Sequence, residues 1–195
     1  MSKEEKGKLF AELAADFNEQ ALEDALARFP GKKHVVITAP EPVVRYAVPE
    51  DYPQIIGLGE ELHAENGHSE IDYPRAEATI MEGINRKASF IGVIGDVGKI
   101  EGIVFIRFAS FWNSSDIFAE ELFLYVPPEF RKTSNAKALL HFAVETTEKL
   151  GLPLMIGVQS SHRTKAKLKL YEKHLGTPVG GYFFVHDPKN QLRLR

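Results

Sequence analysis

The chain has 195 residues, 44% of them hydrophobic, with 24 Lys and Arg against 27 Asp and Glu for a formal net charge of −3. This size suits one compact domain with an appendage, and the mild acidity argues against bulk electrostatic binding to DNA or RNA. The absence of cysteine excludes disulfides, thiolate metal sites and cysteine nucleophiles. No apolar run approaches the roughly 18 residues of a membrane span and no signal peptide is recognisable, so a soluble cytoplasmic protein without a membrane partner is expected.

Residues 3–29 carry helical periodicity in Phe10, Leu13, Ala14, Phe17, Leu22, Ala25, Leu26 and Phe29, and Pro30-Gly31 stops it. With the short strand His34–Thr38, residues 1–42 read as an N-terminal extension that packs on the domain or on a second subunit of a homodimer. Residues 43–195 form the expected main domain. Val43–Ala47 is its first strand, and Pro49, at a favoured first-turn position, opens a helix to about Glu65.

Glu60, Glu61, Glu65, Glu70 and Asp72 follow with no Lys or Arg among them. His63, Glu65 and His68 lie nearby, but a His and a carboxylate two apart on a helix face apart, so no metal site is expected. A second helix runs from about Arg75 to Arg86. Ala88–Ile94 and Ile100–Phe108 are apolar strands joined at Gly95-Asp96-Val97-Gly98. Because a strand follows these glycines, the segment reads as a hairpin and not as a nucleotide loop.

Asp116–Phe118 leads into a central strand through Val126, and Pro127-Pro128 ends its ladder. Ser134 or Asn135 caps the next helix, whose apolar face is Ala136, Leu139, Leu140, Ala143 and Leu150. His141 is expected on its exposed side. A strand leading through a tight loop to a helix N-terminus is a natural anion site, where free N–H groups and the positive dipole end converge. Arg131 and Lys132 add charge there, so a phosphate-bearing ligand is expected. Pro153–Val158 reads as a buried strand parallel to the central one. Arg163–His174 reads as a basic helix and Val179–Val185 as a closing strand.

Val126-x-Pro128-x-x-Arg131-x-x-Ser134-x-Ala136 resembles the V-x-P-x-x-[QR]-x-x-G-x-[GA] motif of the GNAT superfamily of N-acetyltransferases. Ser134 stands where that motif has its first glycine, and Lys132 where glycine is usual. Arg45-x-Ala47-x-x-x-Asp51 resembles the superfamily's first strand and helix. Thr164-x-x-Lys167-x-x-Leu170-Tyr171-x-Lys173-x-Leu175-Gly176 is similar to its N-x-x-A-x-x-x-Y-x-x-x-G-F segment, with Thr164 in place of asparagine. The resemblance covers about residues 43 to 185.

It implies an α/β GNAT fold, a mixed central sheet flanked by helices with a parallel strand–helix–strand core. It implies an N-acetyltransferase that moves an acetyl group from acetyl-CoA directly to a primary amine of a small molecule or protein. The loop Arg131, Lys132, Thr133, Ser134, Asn135 and Ala136, with Thr164, would hold coenzyme A. The backbone of Leu124, Tyr125 and Val126 would bind its pantetheine arm. Tyr171 falls at the general-acid position. Glu120, eleven places before Arg131, falls where the histone-acetyltransferase branch carries its base, with Glu121, facing the other side of the strand, as the fallback. The acidic stretch from Glu60 to Asp72 would line the acceptor side and favour cationic amines. The competing expectation is a GNAT-fold module that binds coenzyme A or a protein without turnover.

Overall fold

A computed structural model describes residues 42–67, 69–160 and 163–181. The expected helix over 3–29 and the strand over His34–Thr38 lie outside the described residues, as does most of the expected closing strand. The elements in order are β1 (Val44–Tyr46), α1 (Tyr52–Asn66), α2 (Tyr73–Ile84), β2 (Ser89–Ile94), β3 (Gly102–Ser110), β4 (Ile117–Tyr125), α3 (Asn135–Lys149), β5 (Leu154–Met155) and α4 (Thr164–Leu175). Single 3-10 turns at Pro49–Asp51 and Pro128–Phe130 lead towards α1 and α3.

One sheet of order β1-β2-β3-β4-β5 organises the domain. Its first three pairings are antiparallel and β4–β5 is parallel, the mixed sheet that the resemblance implies. β2 is buried along all six residues, so its side chains sort by alternation into two cores. Phe90 and Ile94 join Val104, Ile106 and Phe108 of β3 beneath Ala138, Leu139 and Ala143 of α3. Ile91 and Val93 join Ile103 and Phe105 beneath Ile55 and Leu58 of α1 and Ile80 and Ile84 of α2. Burying a large aliphatic or aromatic side chain contributes about 1.5–3 kcal/mol, so the two layers clamp the sheet from both faces.

Three local features fix the frame. Arg45 bonds Asp51 twice, Nη1 to Oδ2 at 2.6 Å and Nη2 to Oδ1 at 2.9 Å, and Val48 N–H donates to Oδ2 at 2.9 Å. Asp51 is fully buried, and burial raises its pKa. The Arg45 bonds, the Val48 N–H and further hydrogen bonding outweigh that and leave it below the ordinary value. Gly92 supplies a bare patch of backbone on which the Phe142 ring of α3 sits; a Cβ there would lie 2.4 Å from Phe142 Cε1. At Gly95 φ is +101°, so the β2–β3 turn needs glycine.

The β3–β4 register shifts once. Phe105 pairs Phe123 while Ile106 pairs Glu121, which leaves Leu122 as the extra residue of a bulge in β4. β5 differs from its expected length. Pairing with β4 stops after Ala119↔Leu154 and Glu120↔Met155, although the apolar run continues to Val158. The two strands diverge there, and Leu154 and Met155 are only partly buried. Periodicity detects an apolar run but not the point where two neighbours separate.

Candidate active site

The site is the opening left where β4 and β5 part. From Glu121 to Tyr125 no described strand pairs with the β5-facing edge of β4. Backbone N–H and C=O groups of alternate residues on that edge of β4 are therefore left without a strand partner and open to an extended ligand. A cleft of about 990 Å³ runs from this opening across to α1 and α2. Its walls include Glu60, Glu70, Asp72, Arg107, Glu120 and Tyr171.

Past the C-terminal end of β4, and outside the lining of this cleft, the loop from Arg131 to Ser134 leads to α3, which begins at Asn135. Lys132, Thr133 and Ser134 are exposed. Thr133 N–H is bonded back to Phe130 O and Asn135 N–H to Thr133 Oγ1. The N–H groups of Ser134 and Ala136 donate to no acceptor among the described residues. Ser134 has φ −85° and ψ 7°, a conformation open to any residue, so the family's glycine is not required here for backbone reasons. Its hydroxyl makes no capping bond, contrary to the expectation that Ser134 or Asn135 caps by its side chain. The fifteen-residue helix adds its dipole. Free N–H groups at a helix N-terminus suit an anionic group.

Two side chains of the loop turn away from it. Asn135 is buried and its Nδ2 donates to Glu101 O at 3.3 Å. Arg131 Nε donates to Val126 O at 2.9 Å, its Nη2 meets Glu65 of α1, and its guanidinium lies 5.5 Å from the Tyr125 ring centre. Tyr125 in turn donates from its hydroxyl to Glu61 Oε2 at 3.1 Å. Arg131 thereby ties the loop to α1. Thr164, at the first turn of α4, donates through Oγ1 to Ser160 O.

The two adjacent glutamates of β4 have different partners. Glu120 pairs Arg107 opposite it on β3, with Oε2 2.7 Å from Nε and 2.6 Å from Nη2. Glu121 points to α4 and to the strand end beyond β5. Tyr171 donates to Glu121 Oε1 at 3.2 Å and Gly157 N–H donates to Oε2 at 3.3 Å. Burial pushes the Glu121 carboxyl up to about 7, even though Tyr171, Gly157 N–H, Lys167 and Leu124 N–H each pull it down. Burial, then the Glu121 charge and hydrogen bond, raise the Tyr171 hydroxyl well above its ordinary value, so it keeps its proton.

One turn before Tyr171, half-buried Lys167 donates to Ser160 Oγ at 2.7 Å, and burial lowers its pKa against the attraction of Glu65. Ser160 Oγ reaches Asn66 Oδ1 at 2.8 Å. Arg107 and Ser160 are site residues that sequence reasoning missed, whereas Glu61 and Glu65 of the expected acidic stretch are engaged by Tyr125 and Arg131. A lone arginine in the apolar run Ile103–Phe108 was the available signal. His141 is not on an open face as expected, for its Nε2 lies 3.2 Å from His174 Nδ1 across α3 and α4.

The sequence profile of the Acetyltransferase (GNAT) family matches residues 45–177, most of the chain and all of the elements just described up to the end of α4. This chain belongs to the GNAT acetyltransferase family. No curated protein is recognisably similar in sequence.

Solved structures carry the same fold. Ribosomal-protein-alanine N-acetyltransferase from Brucella melitensis biovar Abortus 2308 superposes with a TM-score of 0.56 at 15% identity, over 73% of this chain and 98% of that one. AAC(6')-Iy, in complex with the bisubstrate analogue CoA-S-monomethyl-acetylneamine, gives 0.59 at 15%, over 74% and 97%. A predicted acetyltransferase with acetyl-CoA from Clostridium acetobutylicum gives 0.59 at 13%, over 73% and 94%. At such identities the likeness concerns the fold. For this GNAT acetyltransferase, acyl transfer is the family's chemistry, and its acceptor is a separate question.

Proposed function

We propose that this GNAT acetyltransferase moves an acetyl group from acetyl-CoA directly to a primary amine, without a covalent enzyme intermediate. The observation that carries the reading is the partly buried Tyr171–Glu121 pair at the mouth of the β4–β5 opening. It joins a group that holds its proton to one that gains and loses a proton near neutrality. The loop from Arg131 to Ala136, with Thr164, receives coenzyme A, and the backbone of Leu124, Tyr125 and Val126 receives its pantetheine arm. That co-substrate supplies an activated acyl carbon and a thiolate leaving group.

The residues then divide the proton traffic. A carboxylate of the β4 pair takes the amine proton as the nitrogen–carbon bond forms. The carbon–sulfur bond breaks as Tyr171 protonates the sulfur. The adjacent glutamate returns a proton to the tyrosinate, which resets both groups and balances the cycle. Glu120 is the base by resemblance, yet it is held by two Arg107 donors. Its contact with Tyr171 and its poise near 7 favour Glu121 for this role. Glu120, Glu60, Glu70 and Asp72 on the cleft wall suit a cationic acceptor.

The test is a thermal-shift screen with acyl-CoA species followed by an amine panel, with kcat/KM measured for Glu120→Gln and Glu121→Gln. The reading expects the greater loss in Glu121→Gln, partly recovered at high pH, where the amine is already neutral. Binding of coenzyme A with no turnover of any amine would favour a binding module instead.

A further inference from the structure

Lys167 is an amine built into the cleft itself. Its side chain is half-buried and lines the same cavity as Glu121 and Tyr171. It stands four residues before Tyr171 on α4, so the two side chains leave one face of the helix a single turn apart, with about 5–6 Å between their Cβ atoms. A lysine stem is long and flexible enough to cover that turn. Its amine now rests on Ser160 Oγ at 2.7 Å, a single neutral partner. Lys165, Lys169 and Lys173 of the same helix are exposed, and none of them lines the cleft.

We propose that Lys167 is a self-acetylation site: with acetyl-CoA bound and no acceptor present, its amine attacks the thioester carbon in the acceptor's place and keeps the acetyl group as an amide. This rests on the acetyltransferase reading above, in which Tyr171 meets the sulfur. One proton of the ammonium passes to solvent. The neutral Nζ then bonds the carbonyl carbon as the carbon–sulfur bond breaks. A carboxylate of the β4 pair takes the remaining proton that Nζ gives up, Tyr171 protonates the sulfur, and the glutamate returns a proton to the tyrosinate. The amide is stable, so it is an end product and not an intermediate of transfer to an external amine.

Two features of the place favour the step. Tethering makes it unimolecular, which removes the entropy cost of bringing an amine to the thioester. Burial is the largest influence on the Lys167 amine and lowers its pKa, with Arg131 and Arg163 acting the same way and Glu65 and Glu121 opposing them. More of it is therefore neutral at a given pH than of a solvated lysine. The modification also feeds back on the site. It removes a positive charge that draws the Glu121 carboxyl down, so less of that carboxyl is ionised near neutrality and transfer to external amines slows.

The full chain, incubated with acetyl-CoA and no amine at about pH 8 and followed by peptide-mapping mass spectrometry, tests the proposal. Lys167 should gain one acetyl group at least about tenfold faster than exposed Lys165 or Lys169. Its half-time should not depend on protein concentration, as an intramolecular step requires. Glu121→Gln and Tyr171→Phe, each nearly isosteric, should slow Lys167 without changing the background rate at the exposed lysines. A Lys167 rate no greater than that background, or one that both variants leave unchanged, would overturn the proposal. If the same protein acetylates a member of the amine panel, the acetyltransferase reading survives that result. Acetylation of neither Lys167 nor any amine would overturn both.

Discussion

Glu121→Gln has a consequence for stability that needs no ligand. In the folded chain the Glu121 carboxyl titrates at about 7 against an ordinary 4.5. Its folded pKa is raised, so the stability it contributes is complete below about 4.5 and is lost as pH rises to about 7. In that window the unfolded chain gives up the proton that the folded chain retains. At about 1.4 kcal/mol per pH unit the loss amounts to about 3 kcal/mol. Glutamine has nothing to lose, and its carbonyl can accept from Gly157 N–H while its amide faces the Tyr171 oxygen. Relative to wild type, the variant should therefore gain about 3 kcal/mol between pH 4.5 and 8, or roughly 6–12 °C in Tm for a domain of this size. Urea melts of both proteins at pH 4.5, 6 and 8 read the difference, in which all other titrating groups cancel. A gap between the two proteins that stays constant across those pH values would refute the claim that the carboxyl is stranded away from water.

Tyr171→Phe should lower kcat by about 10²–10⁴-fold while leaving acetyl-CoA affinity nearly unchanged, since the hydroxyl acts on the departing sulfur; steady-state kinetics beside calorimetry separates the two. Asp51→Asn leaves the partly exposed Arg45 guanidinium without its counter-charge and should cost about 1–3 kcal/mol, read as a lower urea midpoint. Gly92→Ala drives a methyl to within 2.4 Å of the Phe142 ring and should cost about 1–3 kcal/mol. Adding Phe142→Leu should return part of that loss, and a double-mutant cycle with no coupling would contradict the contact.

Elements with a strong apolar signal were legible in the sequence. The continuous apolar runs of β2 and β3 and the stripe of Leu139, Leu140, Ala143 and Leu150 along α3 are buried as expected, and the glycine turn falls between the two strands. The loop motif placed the start of α3 correctly because proline and the capping region punctuate it. Events between strands were less visible. The bulge at Leu122 has no composition cue, and it decides how Glu120 and Glu121 are presented to the cleft. Nothing local in Pro153–Val158 announces that its ladder ends after two rungs. The Glu65–Arg131 and His141–His174 contacts join residues 66 and 33 positions apart, beyond any local pattern.

The early end of the β4–β5 ladder also makes the slot a wedge with a fixed pivot. With its last rung, Glu120↔Met155, as the hinge, widening is a rotation about that rung and grows with distance from it. Gly157, two residues past the rung, moves little, whereas Ser160 and the Lys167 that bonds it swing furthest. A short acyl group lodged near the pivot is therefore gauged by the stiffest part of the wedge, and a bulky one must be admitted from the compliant end. Extending the ladder by a single rung would move the pivot outward and shorten the slot without altering any side chain that touches the substrate.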